Sequence, residues 1–237
     1  ITSQCGLSAA CSYVWAGAKV TVAAPDSRVL VELAAFTGLE VNSENIKLGR
    51  AELNLLQANE VYVHDLYRTF RSPEDRLIWA ALTVGELLAR HSACSLLHAA
   101  AIEFDGRAIL ICGEPYSGKS TTTLRAISRG LRVLGDDQVR VLDGEACIQP
   151  LPRPVKLRIA PEDPLPDGVV ESSRPLRGFL DAEPTLLLRR GNAIDPAVLR
   201  PIIAIFHLSR SDQPGVILTP VQGEEIQDRL LHQLRGA

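Results

Sequence analysis

In its apolar and polar spacing, the chain begins as a mixture of strands and helices. Lys19 to Ala23 and Glu60 to His64 alternate as strands do, while Ser27 to Phe36 carries apolar residues at helical spacing and ends near Gly38. Ser72, Pro73, Glu74 and Asp75 make a helix start: a hydroxyl cap, a proline in the first turn, and acidic side chains beside the positive end of the dipole. Ile78, Leu82, Leu87 and Leu88 continue that helix as an apolar stripe to about Arg90.

Hairpins dominate the middle of the chain. Ser95 to Phe104 and Arg107 to Cys112 flank Asp105-Gly106, and Val139 to Leu142 and Ala146 to Gln149 flank Asp143-Gly144; both dipeptides favour two-residue turns. Between the hairpins, a helix is predicted from Lys119 to Arg129, closed by Gly130, and a strand from Arg132 to Gly135. Eight prolines between Pro150 and Pro184 predict little regular structure there, either a substrate loop or a disordered segment. Ile202 to Leu208 and Val216 to Leu218 read as strands and Glu224 to Leu234 as an amphipathic helix.

The strand–turn–helix at the centre contains Gly113-Glu114-Pro115-Tyr116-Ser117-Gly118-Lys119-Ser120, a full match to the phosphate-binding loop pattern G-x-x-x-x-G-K-[ST]. The glycines let the backbone turn and approach a ligand. The amides then face one concavity, Lys119 reaches terminal phosphates, and the Ser120 hydroxyl suits a magnesium ion. Thr121 completes the predicted nucleotide-binding residues. A chance glycine turn is the bland alternative, and the strand before and helix after weigh against it.

Composition narrows the partners. A net charge of −3, a pI of about 6.0 and 5% aromatics argue against a nucleic-acid platform. No apolar run is long enough to span a membrane. The five cysteines are scattered without a C-x-x-C pair, which favours reduced thiols and a cytoplasmic protein.

Asp136-Asp137 follow the strand after the loop's helix. Paired carboxylates there could divide two tasks of phosphoryl transfer, taking the acceptor's proton and holding magnesium, or they could form a solvated turn. His98, in the run Leu96-Leu97-His98-Ala99-Ala100, is either a core histidine or a site residue.

Leu97-His98-Ala99, the glycine loop and Gly135-Asp136-Asp137 together resemble the catalytic domain of the HPr kinase/phosphorylase family. His98 lies fifteen residues before Gly113, and the aspartates lie seventeen and eighteen after Lys119, as in that family. The resemblance spans about Ser95 to Gln149. It implies an α/β fold shared with phosphoenolpyruvate carboxykinase, a mixed sheet with antiparallel hairpins around the loop. It implies ATP and magnesium, with Asp136 as general base, Asp137 and Ser120 on the magnesium side, His98 near the transferred phosphate and Lys119 stabilising it. Arg153 and Lys156 are further expected contacts to phosphate or substrate, because related kinases carry a similar Pro-Arg-Pro stretch.

Thr121 stands where the bifunctional enzymes carry an acidic residue, and their H-G pair is H-A here. The chain therefore resembles the stand-alone relatives, some of which modify peptides, including those of lasso-peptide maturation. The expected activity is ATP-dependent phosphorylation of a serine on a protein or peptide. Small-molecule phosphorylation, for example of free serine, and a non-catalytic nucleotide-binding subunit are the alternatives. No nucleic acid or membrane partner is expected, and homo-oligomers occur among the relatives. Residues 1–70 are expected to form a small α+β region that could dock the acceptor, and 71–237 the catalytic domain.

Overall fold

The computed structural model describes residues 7–40, 42, 51–56, 60–63, 66–92, 95–142, 144–158, 176–180, 183–188, 196–211, 215, 217–221, 223–231 and 234–235. The chain divides into two compact units. The first comprises Ile1–Ala93 with Leu151–Pro154 and Asp195–Ala197, and the second comprises Cys94–Pro150, Val155–Ile194 and Val198–Ala237. The division follows the helix started by Ser72, whereas the sequence grouped that helix with the catalytic region.

In the first unit, β1 (Ala9–Trp15), β2 (Ala18–Ala24), β3 (Leu53–Leu55), β4 (Glu60–Val63) and β5 (Leu66–Thr69) form a sheet in that spatial order. Only β2 and β3 run parallel; the other pairs are antiparallel. Helices α1 (Ser27–Thr37) and α2 (Pro73–His91) pack on one another and on β2. Both starts carry side-chain caps: Asp26 accepts from the amides of Arg28 and Val29, and Ser72 from that of Asp75. Tyr13, Val20, Val22, Leu33, Leu53, Leu55 and Leu88 are fully buried. The Tyr13 hydroxyl donates to the Leu30 carbonyl at 2.7 Å, so its burial leaves no polar atom stranded.

The second unit contains an eight-stranded sheet. Its strands are β6 (Ser95–Leu97), β7 (Ala100–Phe104), β8 (Arg107–Gly113), β9 (Arg132–Gly135), β10 (Val139–Leu142), β11 (Cys147–Gln149), β15 (Arg200–Leu208) and β16 (Leu234–Arg235), in the spatial order β16-β6-β10-β11-β15-β8-β7-β9. β8 runs parallel to β15 and antiparallel to β7, so the sheet is mixed, as the hairpin pattern implied. Asp105 and Gly106 turn with φ of 50° and 70°, the double positive φ that such a dipeptide supplies. A smaller antiparallel sheet holds β12 (Val155–Arg158), β14 (Glu183–Leu188) and β13 (Leu176–Leu180) in that order. Helix α3 (Lys119–Ile127) packs with both sheets. Its Leu124 and Ile127 meet Val133, Val155, Leu157 and Leu188, and Ala126 meets Ala100, Ile102 and Ile111. A further helix, α4 (Glu224–Leu231), places Leu230 against the core that Leu97, Leu110 and Val139 form.

Four sequence expectations change, and in the first the helix expected over Glu224 to Leu234 covers Glu224–Leu231, while Leu234 pairs with Leu97 in β16. The single strand expected over Ser95 to Phe104 is broken at His98 and Ala99. β6 pairs with β10 and β16, and β7 with β8 and β9, so the chain passes between partners there. The proline-rich stretch contains β12, β13 and the start of β14; 159–175 lies outside the described residues. Of the strand expected over Val216 to Leu218, Val216 lies outside the described residues, and Ile217 and Leu218 are in no strand and are exposed, with no strand among the described residues pairing with them.

Candidate functional site

The site is built where β8 gives way to α3. Gly113 ends β8 with φ of 141°, a backbone region closed to other residues, and an added Cβ would lie 2.5 Å from the Leu208 carbonyl oxygen and 2.7 Å from Ser117 Oγ. The loop's first glycine is thus demanded twice, by its dihedral and by the parallel strand β15 behind it. Ser117 donates its amide to the Glu114 carbonyl at 3.1 Å and closes the turn. Lys119, buried, folds back so that its ammonium donates to the carbonyls of Gly113 at 2.6 Å and Glu114 at 3.1 Å. Burial pulls the ammonium below its ordinary pKa, Asp136 and Asp137 oppose that, and the Arg158 charge adds to it.

Asp136 follows β9. It is 5% exposed, and both its carboxylate oxygens are occupied: Ser120 Oγ donates at 2.7 Å and Thr123 Oγ1 at 3.1 Å. Ser120 and Thr123 are three apart on α3 and share a face, which lets two hydroxyls meet one carboxylate. Burial pushes Asp136 up to about 6, partly offset by the two hydroxyls and Lys119 and reinforced by the neighbouring Asp137. Asp137 turns left-handed with φ of 74°. Its carboxylate is 35% exposed and lies 3.2 Å from His98 Nδ1, which also lies 2.8 Å from the Asp137 carbonyl oxygen. With two acceptors around it, Nδ1 is the nitrogen that carries a proton toward Asp137. The break between β6 and β7 is what swings His98 onto Asp137.

One cavity of about 150 Å³ gathers these groups. Its walls include His98, Pro115, Tyr116, Gly118, Lys119, Ser120, Thr121, Asp136 and Asp137, together with Lys156, Arg158 and Arg210. The loop's Glu114 contributes its carbonyl to Lys119, as above. Arg153 is not on these walls. It belongs to the first unit, where its Cβ would lie 2.8 Å from a Cβ added at Gly85. The pairing within the site also differs from expectation: Ser120 meets Asp136, and Asp137 meets His98.

Three members escaped the sequence reading. Thr123 could have been found from its spacing to Ser120, and Arg158 from its spacing to Lys156, since alternate strand residues share a face. Arg210 carried no local signal; only the parallel pairing of Leu208 with Gly113 brings the end of β15 to the loop.

The donor set fits phosphate and magnesium. Ser117 Oγ is buried with no hydrogen-bond partner among the described residues, an orphaned polar atom inside the loop. The Ser120 hydroxyl and Asp136 carboxylate are hard oxygen donors side by side, suited to magnesium. Among the described residues no group of three or more His, Cys, Asp or Glu side chains gathers to hold a metal, so the rest of such an ion's shell would come from phosphate and water. Among the described residues no helix is long and apolar enough to cross a membrane.

No family model and no curated protein matches the chain. Among solved structures it is similar to the HPr(Ser) kinase/phosphatase from Coxiella burnetii, with 15% identity over 49% of this chain and 81% of that one and a TM-score of 0.20.

Proposed function

We propose that the second unit is a magnesium-dependent ATP phosphotransferase acting on a hydroxyl, with a serine of a protein or peptide as the leading acceptor. One observation carries this reading. A buried lysine, a hydroxyl–carboxylate pair and a carboxylate–histidine pair line a single cavity at the mouth of a strand–glycine loop–helix.

The geometry favours exchanging the two aspartates' expected roles. Asp136 is buried and bonded to Ser120, which suits the metal side. Asp137 is half-exposed and backed by His98, which suits it to meet the acceptor. Bound magnesium supplies charge neutralisation on the phosphates. The loop amides and Lys119 orient the γ-phosphoryl group. The acceptor oxygen attacks phosphorus, the bond to the β,γ-bridging oxygen breaks, ADP leaves, and the hydroxyl proton passes to the Asp137 carboxylate. His98 orients that carboxylate through Nδ1–H. A small hydroxy acid such as free serine is a second reading, favoured by the small cavity and by Arg210 on its wall as a carboxylate partner.

The test incubates the protein with magnesium, γ-labelled ATP, and either serine peptides or free serine. Label is expected on the acceptor hydroxyl. Asp137→Asn is expected to lower transfer at least about 100-fold with nucleotide affinity within about twofold. Tight ATP binding without transfer to any peptide, serine or water would sink the kinase reading and leave a nucleotide-binding subunit.

A further inference from the structure

We propose that Arg158 reads the terminal phosphate of the nucleotide, and that Tyr116 positions it for this. The inference rests on the phosphate-binding reading of the loop and adds to it a residue that distinguishes a triphosphate from a diphosphate.

Tyr116 sits in the loop with φ of 66° and 70% exposure. A bulky non-glycine residue in left-handed backbone is strained, so the loop holds this ring out against a conformational cost. The Arg158 guanidinium carbon lies 5.3 Å from the ring centroid, within cation–π range. A guanidinium resting on an aromatic face can still point its N–H edge at an anion, and that edge matches phosphate oxygens two at a time.

The base of Arg158 is rigid. β12 pairs with β14 at all four positions from Val155 to Arg158, and Val155 and Leu157 are buried with Leu124, Ile127 and Leu188. Strand alternation therefore sends Lys156 and Arg158 to the opposite face, where both line the cavity. Arg158 is also close enough to work against the charge on Lys119. Two cations that repel across a cavity are brought to rest by an anion between them. Ser120 and Asp136 already account for the metal side, and Asp137 and His98 for the acceptor side. The remaining charge to be met is that on the transferred group.

Calorimetric binding of the non-hydrolysable β,γ-imido analogue of ATP and of ADP, each with magnesium, tests this. The variants are Arg158→Gln, Tyr116→Phe and Tyr116→Leu, with circular dichroism and thermal unfolding as the check on folding. Arg158→Gln is expected to weaken the triphosphate analogue about tenfold while ADP stays within about twofold. Tyr116→Phe, which keeps the ring, should bind as wild type. Tyr116→Leu should lose about threefold for the analogue alone, since it leaves the guanidinium but not its platform. Equal losses for both nucleotides, or no loss in Arg158→Gln, would overturn the proposal. An equal loss for both in Tyr116→Leu would instead put the ring on the nucleobase and overturn Tyr116's part. Wild-type protein that binds neither nucleotide would refute the phosphate-binding reading itself, and this proposal with it.

Discussion

Asp136 is a charge held where water hardly reaches. Its carboxyl rises from an ordinary 3.8 to about 6 because burial outweighs the hydroxyls of Ser120 and Thr123. Between those two values the folded chain keeps a proton that the unfolded chain has released. Stability therefore falls as pH rises through this window, and the loss is complete above about 6. In chelator, Asp136→Asn should be more stable than wild type at pH near 7.5 by roughly 1–3 kcal/mol, and the gain should vanish near pH 4. Denaturant unfolding at both pH values measures it; an equal or less stable variant at the higher pH would mean that the carboxylate is not buried as placed. At this scale the sequence was informative wherever a motif fixed spacing. The loop, His98 and the aspartate pair all line one cavity. The resemblance put Ser120 with Asp137, whereas Ser120 meets Asp136 and Asp137 meets His98, because side-chain direction at Asp137 depends on a left-handed turn that no spacing announces.

Elements are governed by what lies behind them. Gly113 borders the Leu208 carbonyl, so Gly113→Ala must push β8 from β15 or twist the loop. The expected cost is about 1–3 kcal/mol in denaturant unfolding. Weaker binding of the ATP analogue should accompany it, because the loop amides lose their common direction. Unchanged stability would show that β15 yields easily there. Element type was legible where local chemistry was strong. Ser72 caps its helix where the sequence put it, and Asp105-Gly106 turns a hairpin. The strand break at His98 was not legible, because Ser95 to Phe104 holds no Gly or Pro to mark it and only the choice of partner strands divides the run. The prolines around β12 misled in the opposite sense. Pro152 and Pro154 precede the strand, where a missing N–H removes nothing from the ladder.

Over the whole molecule, the boundary between units is set by packing, which a linear reading cannot see. Leu77, Ile78, Ala81, Val84 and Leu88 of α2 are buried, and α2 packs on α1 and β2. A fragment of residues 71–237 would carry that apolar face without its covers and is expected to aggregate, whereas 94–237 should express with the larger soluble fraction. A soluble 71–237 with α2 intact by hydrogen exchange would restore the boundary near residue 70. The candidate site draws on chain positions from His98 to Arg210, so it exists only once the second unit's sheet order is complete. The gap at His98 has a consequence for how such a protein can change. β6 and β7 hang on separate ladders, so an insertion between Leu97 and Ala100 would shift His98 without moving the register of either strand or the glycine loop. Deletions and insertions there would tune the acceptor half of the chemistry while the nucleotide half stayed as it was, giving one short stretch of chain where the two can be edited apart.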